Sequence, residues 1–135
     1  MTLALCTVLT PEVADLLALA VWPDPTRVQA TLARYASDPG LQVWVLEVAG
    51  QPVCAAGIRL KELSAEILHL GTREDARRQG YARRLLLALL ERPDLTTLEA
   101  ETDDGSVAFY RRAGFEVRET AARGGSVRYH CTLPA

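Results

Sequence analysis

Residues 65–87 read AEILHLGTREDARRQGYARRLLL, and the fold turns on how that run divides. Ala65–Thr72 is apolar and strand-like. A charged turn follows. From Arg78 to Glu91, Ala82, Leu85, Leu86 and Leu89 recur at helical spacing, and Pro93 lies just past the end. A strand therefore feeds an amphipathic helix through a polar turn. The first turn of a helix leaves backbone N–H groups without acceptors, and the helix dipole adds positive potential there. A diphosphate suits such an end. Gly80 offers no side chain to obstruct a ligand near the backbone, and Arg77, Arg78, Arg83 and Arg84 supply charge-assisted donors. A plain helix start with a capping glycine and a solvated arginine face accounts for the same residues, and one glycine does not decide between them. No Gly-Lys-Ser/Thr follows, and the three-glycine spacing of a dinucleotide fingerprint is absent.

Upstream, Leu3–Leu9 reads as a first strand. Thr10-Pro11-Glu12 is a helix start, with Thr as cap, Pro at the first helical position and an acid in the first turn. Val13, Leu16, Leu17 and Ala20 make its apolar face. Trp22-Pro23-Asp24-Pro25 breaks this helix, and Asp24 caps a second one with Val28, Leu32 and Tyr35 on one side, closed by Pro39-Gly40. The period then changes to two. Gln42–Val48 and Pro52–Leu60 form a hairpin about Ala49-Gly50-Gln51. Downstream come a strand at Leu95–Glu101, a helix at Ser106–Ala113 stopped by Gly114, and a strand at Phe115–Glu119. A loop at Ala121–Ser126 and a last strand at Val127–Leu133 complete the chain. The order β-α-α-β-β-β-α-β-α-β-β predicts one α/β domain over residues 1–135, with a mixed sheet.

Composition fits that reading. The chain has 135 residues, 49% of them hydrophobic and 24% charged, enough for a core without a disulfide or metal staple. A net charge of −2 advertises neither nucleic acid nor membrane. Glu74 and Asp75, interspersed among the arginines of 73–84, also weigh against nucleic acid. The start, MTLALCTVLTPE, lacks the charged and apolar regions of a signal peptide, and no apolar run is long enough for a span. Cys6, Cys54 and Cys131 are far apart, with no Cys-x-x-Cys pair or Cys/His cluster. Free thiols in a reducing compartment, the cytoplasm, are expected, with no metal.

The central stretch resembles the acetyl-CoA motif of the GNAT family of N-acetyltransferases, Gln/Arg-x-x-Gly-x-Gly/Ala, as Arg77-x-x-Gly80-x-Ala82. Ala65-Glu66-Ile67 sits at the spacing seen in histone-acetylating members. Ser106-Val107-Ala108-Phe109-Tyr110-Arg111-Arg112-Ala113-Gly114-Phe115 resembles the family's small-x-x-Phe/Leu-Tyr-x-x-x-Gly-Phe segment. The resemblance covers nearly the whole chain. It implies transfer of an acetyl group from acetyl-CoA, as co-substrate, to a primary amine by direct attack in a ternary complex. It also implies that the strand ending at Leu70-Gly71-Thr72 splays from Leu95–Glu101. The pantetheine arm would enter that gap and bond to backbone at Leu70 and Thr72. The segment Arg77-Arg78-Gln79-Gly80-Tyr81-Ala82-Arg83 would hold the pyrophosphate. Thr72 replaces the usual Val, and Asp103 stands where many members have Asn; a carboxylate cannot donate to the arm as an amide does.

By the same resemblance Tyr110 lies beside the sulfur. An ordinary phenol titrates near 10 and could exchange a proton with a leaving thiolate on roughly even terms. Glu66 is the implied base, directly or through water. On an unbulged strand Glu66, Leu68, Leu70 and Thr72 share a face, with the rival His69 on the other; a bulge would shift that parity. Glu99 and Glu101 are further rivals. His130, Trp44 and Trp22 read as structural, although Trp22 sits in the break between the first two helices, which by the resemblance flanks the acceptor site, so that it could line that pocket. The acceptor is a small-molecule or peptide amine, and the enzyme a monomer or homodimer. A GNAT-like module that holds CoA without catalysis is the alternative.

Overall fold

The computed structural model describes residues 1–123 and 126–135, and the side chains outside 121–126. Its elements are β1 (Thr2–Cys6), α1 (Pro11–Ala18), α2 (Pro25–Ser37), β2 (Leu41–Val48), β3 (Gln51–Lys61), β4 (Ser64–Thr72), α3 (Tyr81–Leu90), β5 (Thr97–Asp103), α4 (Val107–Arg112), β6 (Glu116–Arg123) and β7 (Ser126–Pro134). A 3₁₀ turn at Glu74–Ala76 precedes α3. The strands form one seven-stranded sheet in the order β1-β2-β3-β4-β5-β7-β6. Among the described residues only β4 and β5 pair in parallel, across α3; the other neighbours are antiparallel. The expected mixed sheet and element order are both present. No helix among the described residues is long and apolar enough to cross a membrane.

The caps form where the sequence places them. Thr10 Oγ1 accepts from Val13 N at 3.3 Å, and Asp24 Oδ1 from Thr26 N at 3.0 Å. The β2–β3 hairpin closes on two residues, Ala49 (φ 52°) and Gly50 (φ 77°), so Gln51 already pairs with Val48. Several boundaries differ from the sequence reading. The first strand stops at Cys6, not Leu9, where Cys6 Sγ donates to Val8 O and bends the chain away. The third helix starts at Tyr81, not Arg78, because Arg78 (φ 66°) and Gly80 (φ 79°) are both left-handed and cannot continue a right-handed helix. The fifth strand starts at Thr97, not Leu95, and runs on to Asp103. Strand β6 extends to Arg123 and β7 begins at Ser126, so the ends of the expected 121–126 loop are strand, held by mutual pairing. The tip, Gly124–Gly125, lies outside the described residues.

Two cores flank the sheet. On one face Val13, Leu16 and Leu17 of α1 pack on Val43, Val45 and Ala55. On the other, Leu85, Leu86 and Leu89 of α3 are essentially inaccessible against Ile58, Ala65, Ile67 and Leu98. Each such leucine contributes about 1.5–3 kcal/mol by burial. Trp44 belongs to this second core, with the Arg92 guanidinium 4.4 Å from its ring centroid. Trp22, in the break between α1 and α2, is exposed.

Candidate active site

Strands β4 and β5 pair only over Ser64–Ile67 and Thr97–Ala100. Beyond Ile67 and Ala100 they part. The register of β4 against β3 slips at the same point: Ile58 faces Ile67, but Gly57 faces His69, which leaves Leu68 as an extra bulged residue. The opening between the strands is a cavity of about 600 Å³ with Leu70, Thr72, His69, Ala82, Asp103 and Tyr110 in its walls. A second cavity of about 490 Å³ adjoins it, lined by Arg77, Arg78, Gly80, Tyr81, Ala82 and Arg83. Thr72, Ala82 and Phe109 belong to both walls, so the two spaces are neighbours.

The turn that makes the second cavity is built by backbone. Arg73 N donates to Val53 O at 2.8 Å, and Arg77 Nε donates to Thr72 O at 3.2 Å, tying the turn to the strand end. The first rung of α3 runs from Arg84 N to Gly80 O at 3.0 Å. The amides of Tyr81, Ala82 and Arg83 precede that ladder and have no acceptor within the helix. A Cβ on Gly80 would meet no protein atom within 4 Å, so what requires glycine is its left-handed φ. The turn thus directs free amides and the positive end of the α3 dipole toward a space rimmed by arginines. That donor set suits a diphosphate, and the inter-strand gap suits a slender arm leading from it.

Tyr110 lines the inter-strand cavity, next in sequence to Phe109, which belongs to both walls. Its ring is edge-on to Phe109 and Phe115, both with centroids 5.1 Å away, which fix its orientation. Burial, with the Cys131 thiol adding to it, pushes its hydroxyl up to about 12. That hydroxyl has no hydrogen-bond partner among the described residues, and Tyr110 lines the inter-strand cavity.

Other singled-out residues are placed differently. Glu66 lies one rung back from the opening. Lys61 Nζ is 3.6 Å from Glu66 Oε1 and 3.3 Å from Glu99 Oε2, and Glu66 lines neither cavity. The bulge overturns the unbulged parity. Opposite residues share a face, so Glu66 (facing Arg59) and His69 (facing Gly57) lie on one side, with Leu70 and Thr72 on the other. Gly71 is glycine for packing: a Cβ there would overlap the Leu16 carbonyl of α1, and Gly71 and Gln79 line neither cavity. The Oδ1 of Asp103 accepts from Gly105 N at 3.0 Å and Ser106 N at 3.1 Å, so it closes the turn that leads into α4. His130 is 3.9 Å from Glu99, on the sheet.

Sequence reasoning missed Tyr35, whose hydroxyl lies 2.6 Å from His69 Nδ1. It also missed Arg128, which lines the cavity with its Nε 3.4 Å from Glu101 Oε1. The helical spacing of Tyr35 marks it only as a packing residue, and Arg128 has no local signal at all.

Solved structures share this architecture. A GNAT family acetyltransferase from Elizabethkingia anophelis with acetyl-CoA bound superposes with a TM-score of 0.72 at 17% identity, covering 99% of this chain and 97% of that one. A Bacillus subtilis acetyltransferase in complex with CoA gives 0.74 at 16% identity, covering 98% and 97%. The ribosomal-protein-S18-alanine N-acetyltransferase of Escherichia coli gives 0.69 at 18%, covering 98% and 92%. No curated protein sequence matches the chain. The family model described as an acetyltransferase (GNAT) domain matches residues 10–130. By that match, with the splayed strands and the amide-lined turn, the chain belongs to the GNAT acetyltransferases, a family of acetyl-CoA-dependent acyltransferases.

Proposed function

We propose that this protein transfers an acetyl group from acetyl-CoA to a primary amine in a ternary complex, by direct attack of the amine on the thioester. The observation that carries the reading is that the two cavities adjoin, with Thr72, Ala82 and Phe109 in both walls. The start of α3 lines one of them, and Tyr110 lines the other. Acetyl-CoA supplies the activated acyl group. The amides of Tyr81, Ala82 and Arg83, with Arg77 and Arg78 around them, would hold the diphosphate, and the unpaired β4 edge from Leu70 to Thr72 would guide the arm. Much of the rate would come from holding two reactants in register.

Tyr110 serves as a hydrogen-bond donor to the departing sulfur. With its hydroxyl near 12, complete proton transfer to an ordinary thiolate would run uphill by about 5 kcal/mol. A charge-assisted hydrogen bond, about 1.5–3 kcal/mol, needs no such transfer. Donation thus replaces the balanced exchange expected of an unperturbed phenol. Glu66, one rung from the opening and tied to Lys61, receives the amine's proton through water. An ammonium would approach over the face bearing Glu66, Glu99 and Glu101. The acceptor class, a small molecule or peptide with a free amine, parallels the alanine named for the Escherichia coli structure. A cytoplasmic enzyme, monomeric or dimeric, fits this reading.

The test is to incubate the protein with acetyl-CoA and a panel of amines and follow free thiol. Turnover on at least one amine is expected. Tight CoA binding without turnover on any amine would leave a CoA-holding module instead.

A further inference from the structure

His69 sits where the bulge in β4 meets the inter-strand cavity, and three elements are shaped around its ring. Its Nδ1 is 2.6 Å from the Tyr35 hydroxyl, which reaches across from α2. The two rings meet edge-on, with centroids 5.6 Å apart and planes at 73°. Beneath them, β3 carries Gly57 directly opposite His69, and a Cβ there would overlap the Tyr35 hydroxyl. An incidental contact does not require a glycine on the neighbouring strand. With Nδ1 engaged by Tyr35, only Nε2 remains for a ligand. His69 lines the cavity that Tyr110 lines from α4, whereas Glu66 does not.

We propose that His69, oriented by Tyr35, takes the proton of the acceptor amine directly, and that Glu66 receives it only afterwards through water. This rests on the acyl-transfer reading above. The nitrogen–carbon bond forms and the carbon–sulfur bond breaks. One proton passes from nitrogen to His69 Nε2, then through water to Glu66 and on to solvent. The sulfur, released as thiolate beside Tyr110, takes one proton from solvent, so charge and atoms balance. In the tautomer with Nδ1–H donating to the Tyr35 oxygen, the ring accepts a proton at Nε2 without reorganising. Burial of Tyr35 pushes its hydroxyl well above the ordinary range, so it stays neutral and acts as a positioning residue. Burial first, and then the Arg34 guanidinium, hold His69 below its ordinary value, so it is neutral and receptive at pH 7. The charged groups around the pair are Arg34 from α2, Arg59 from β3, Glu101 and Asp103 from β5, and Arg128 from β7.

The experiment is a pH profile of kcat/KM with an amine that stays unprotonated across the range. The wild type should fall on the acid side with an apparent pKa below about 6.5. His69→Gln should lower kcat by about 10²–10³-fold and abolish that limb, with KM for acetyl-CoA within about threefold. Tyr35→Phe should cost about tenfold in kcat and move the limb to lower pH, since the imidazolium loses its acceptor. Glu66→Gln should keep the limb. A wild type that turns over, beside a His69→Gln that keeps both rate and limb, overturns the assignment. A wild type with no thiol release on any amine overturns the acyl-transfer reading itself. If His69→Gln does not fold, the chain's two histidines allow a second route. In His130→Gln, diethyl pyrocarbonate should inactivate as the remaining imidazole reacts, and full activity after that reaction overturns the proposal.

Discussion

The pair β4–β5 contains two halves that behave in opposite ways. Over Ser64–Ile67 and Thr97–Ala100 the strands are bonded, and Ala65, Leu98 and Ala100 are at most 1% exposed beneath α3. Over Leu68–Thr72 and Glu101–Asp103 the same two strands part around a cavity. Composition changes at the same point. The closed half turns small and branched apolar side chains toward α3. The open half brings His69, Thr72, Glu101 and Asp103 to the cavity. One half should carry stability and the other chemistry, and substitutions can set the two against each other.

The largest effect belongs to the closed half. Leu98→Ala leaves a void among Ile67, Leu85 and Leu89, and should cost about 2–5 kcal/mol in urea unfolding. CoA affinity per folded molecule should be nearly unchanged. A loss of affinity without a loss of stability would break the division.

Tyr110→Phe tests the open half from the other side. The ring contacts with Phe109 and Phe115 survive, and no hydrogen bond within the protein is lost. Stability should change by less than about 1 kcal/mol, while kcat falls about 30-fold, the equivalent of about 2 kcal/mol. The sign of the pH dependence follows from burial. A hydroxyl raised to about 12 stays protonated as pH rises through 10, where an ordinary phenol is half ionised. The wild-type rate should therefore show no alkaline fall from this group below about pH 11. A rate halved near pH 10 in the wild type but not in Tyr110→Phe would refute the burial argument.

Gly80→Ala probes the edge of the open half with two separable costs. A side chain at φ 79° costs roughly 1–2 kcal/mol of stability. In the protein alone the new Cβ meets nothing within 4 Å. Any loss of CoA affinity must then come from the ligand's own approach to the backbone, and about tenfold is expected by titration calorimetry. Unchanged affinity would mean that the amides at the start of α3 are not the diphosphate site.

Most of the fold was legible because it rests on local signals. The Thr10 and Asp24 caps, the period-two runs and the Leu85-Leu86-Leu89 face are each decided within a few residues. The arginine-and-glycine turn and Tyr110 stood out through two segments of recognisable spacing, and they line the two adjoining cavities. The bulge at Leu68 was not, since a single unpaired residue leaves no mark in an apolar run. That one residue moved Glu66 onto the face of His69. Nor does any local pattern reveal that Tyr35, 34 positions away, closes on His69 over Gly57. Gly71, within a segment read as cofactor-binding, is glycine because Leu16 of α1 lies on it.

Asp103→Asn is the smallest perturbation and sharpens the comparison most finely, since position 103 ends the open half. The Oδ1 of Asp103 already accepts from the amides of Gly105 and Ser106, and the amide oxygen of Asn can accept the same two bonds. The turn before α4 should therefore keep its bonds, and stability should move by no more than about 0.5 kcal/mol. What changes is one negative charge at the wall of a space proposed for a polyanionic cofactor. Its removal should tighten CoA binding about two- to threefold at low salt, and the gain should shrink as ionic strength rises, because the charge is exposed and screened. A loss of more than about 1 kcal/mol in stability would show that the carboxylate's charge, rather than its acceptor geometry, holds α4 in place. Weaker CoA binding would show the carboxylate to be a ligand contact in its own right, with the open half accommodating an acid where relatives carry an amide.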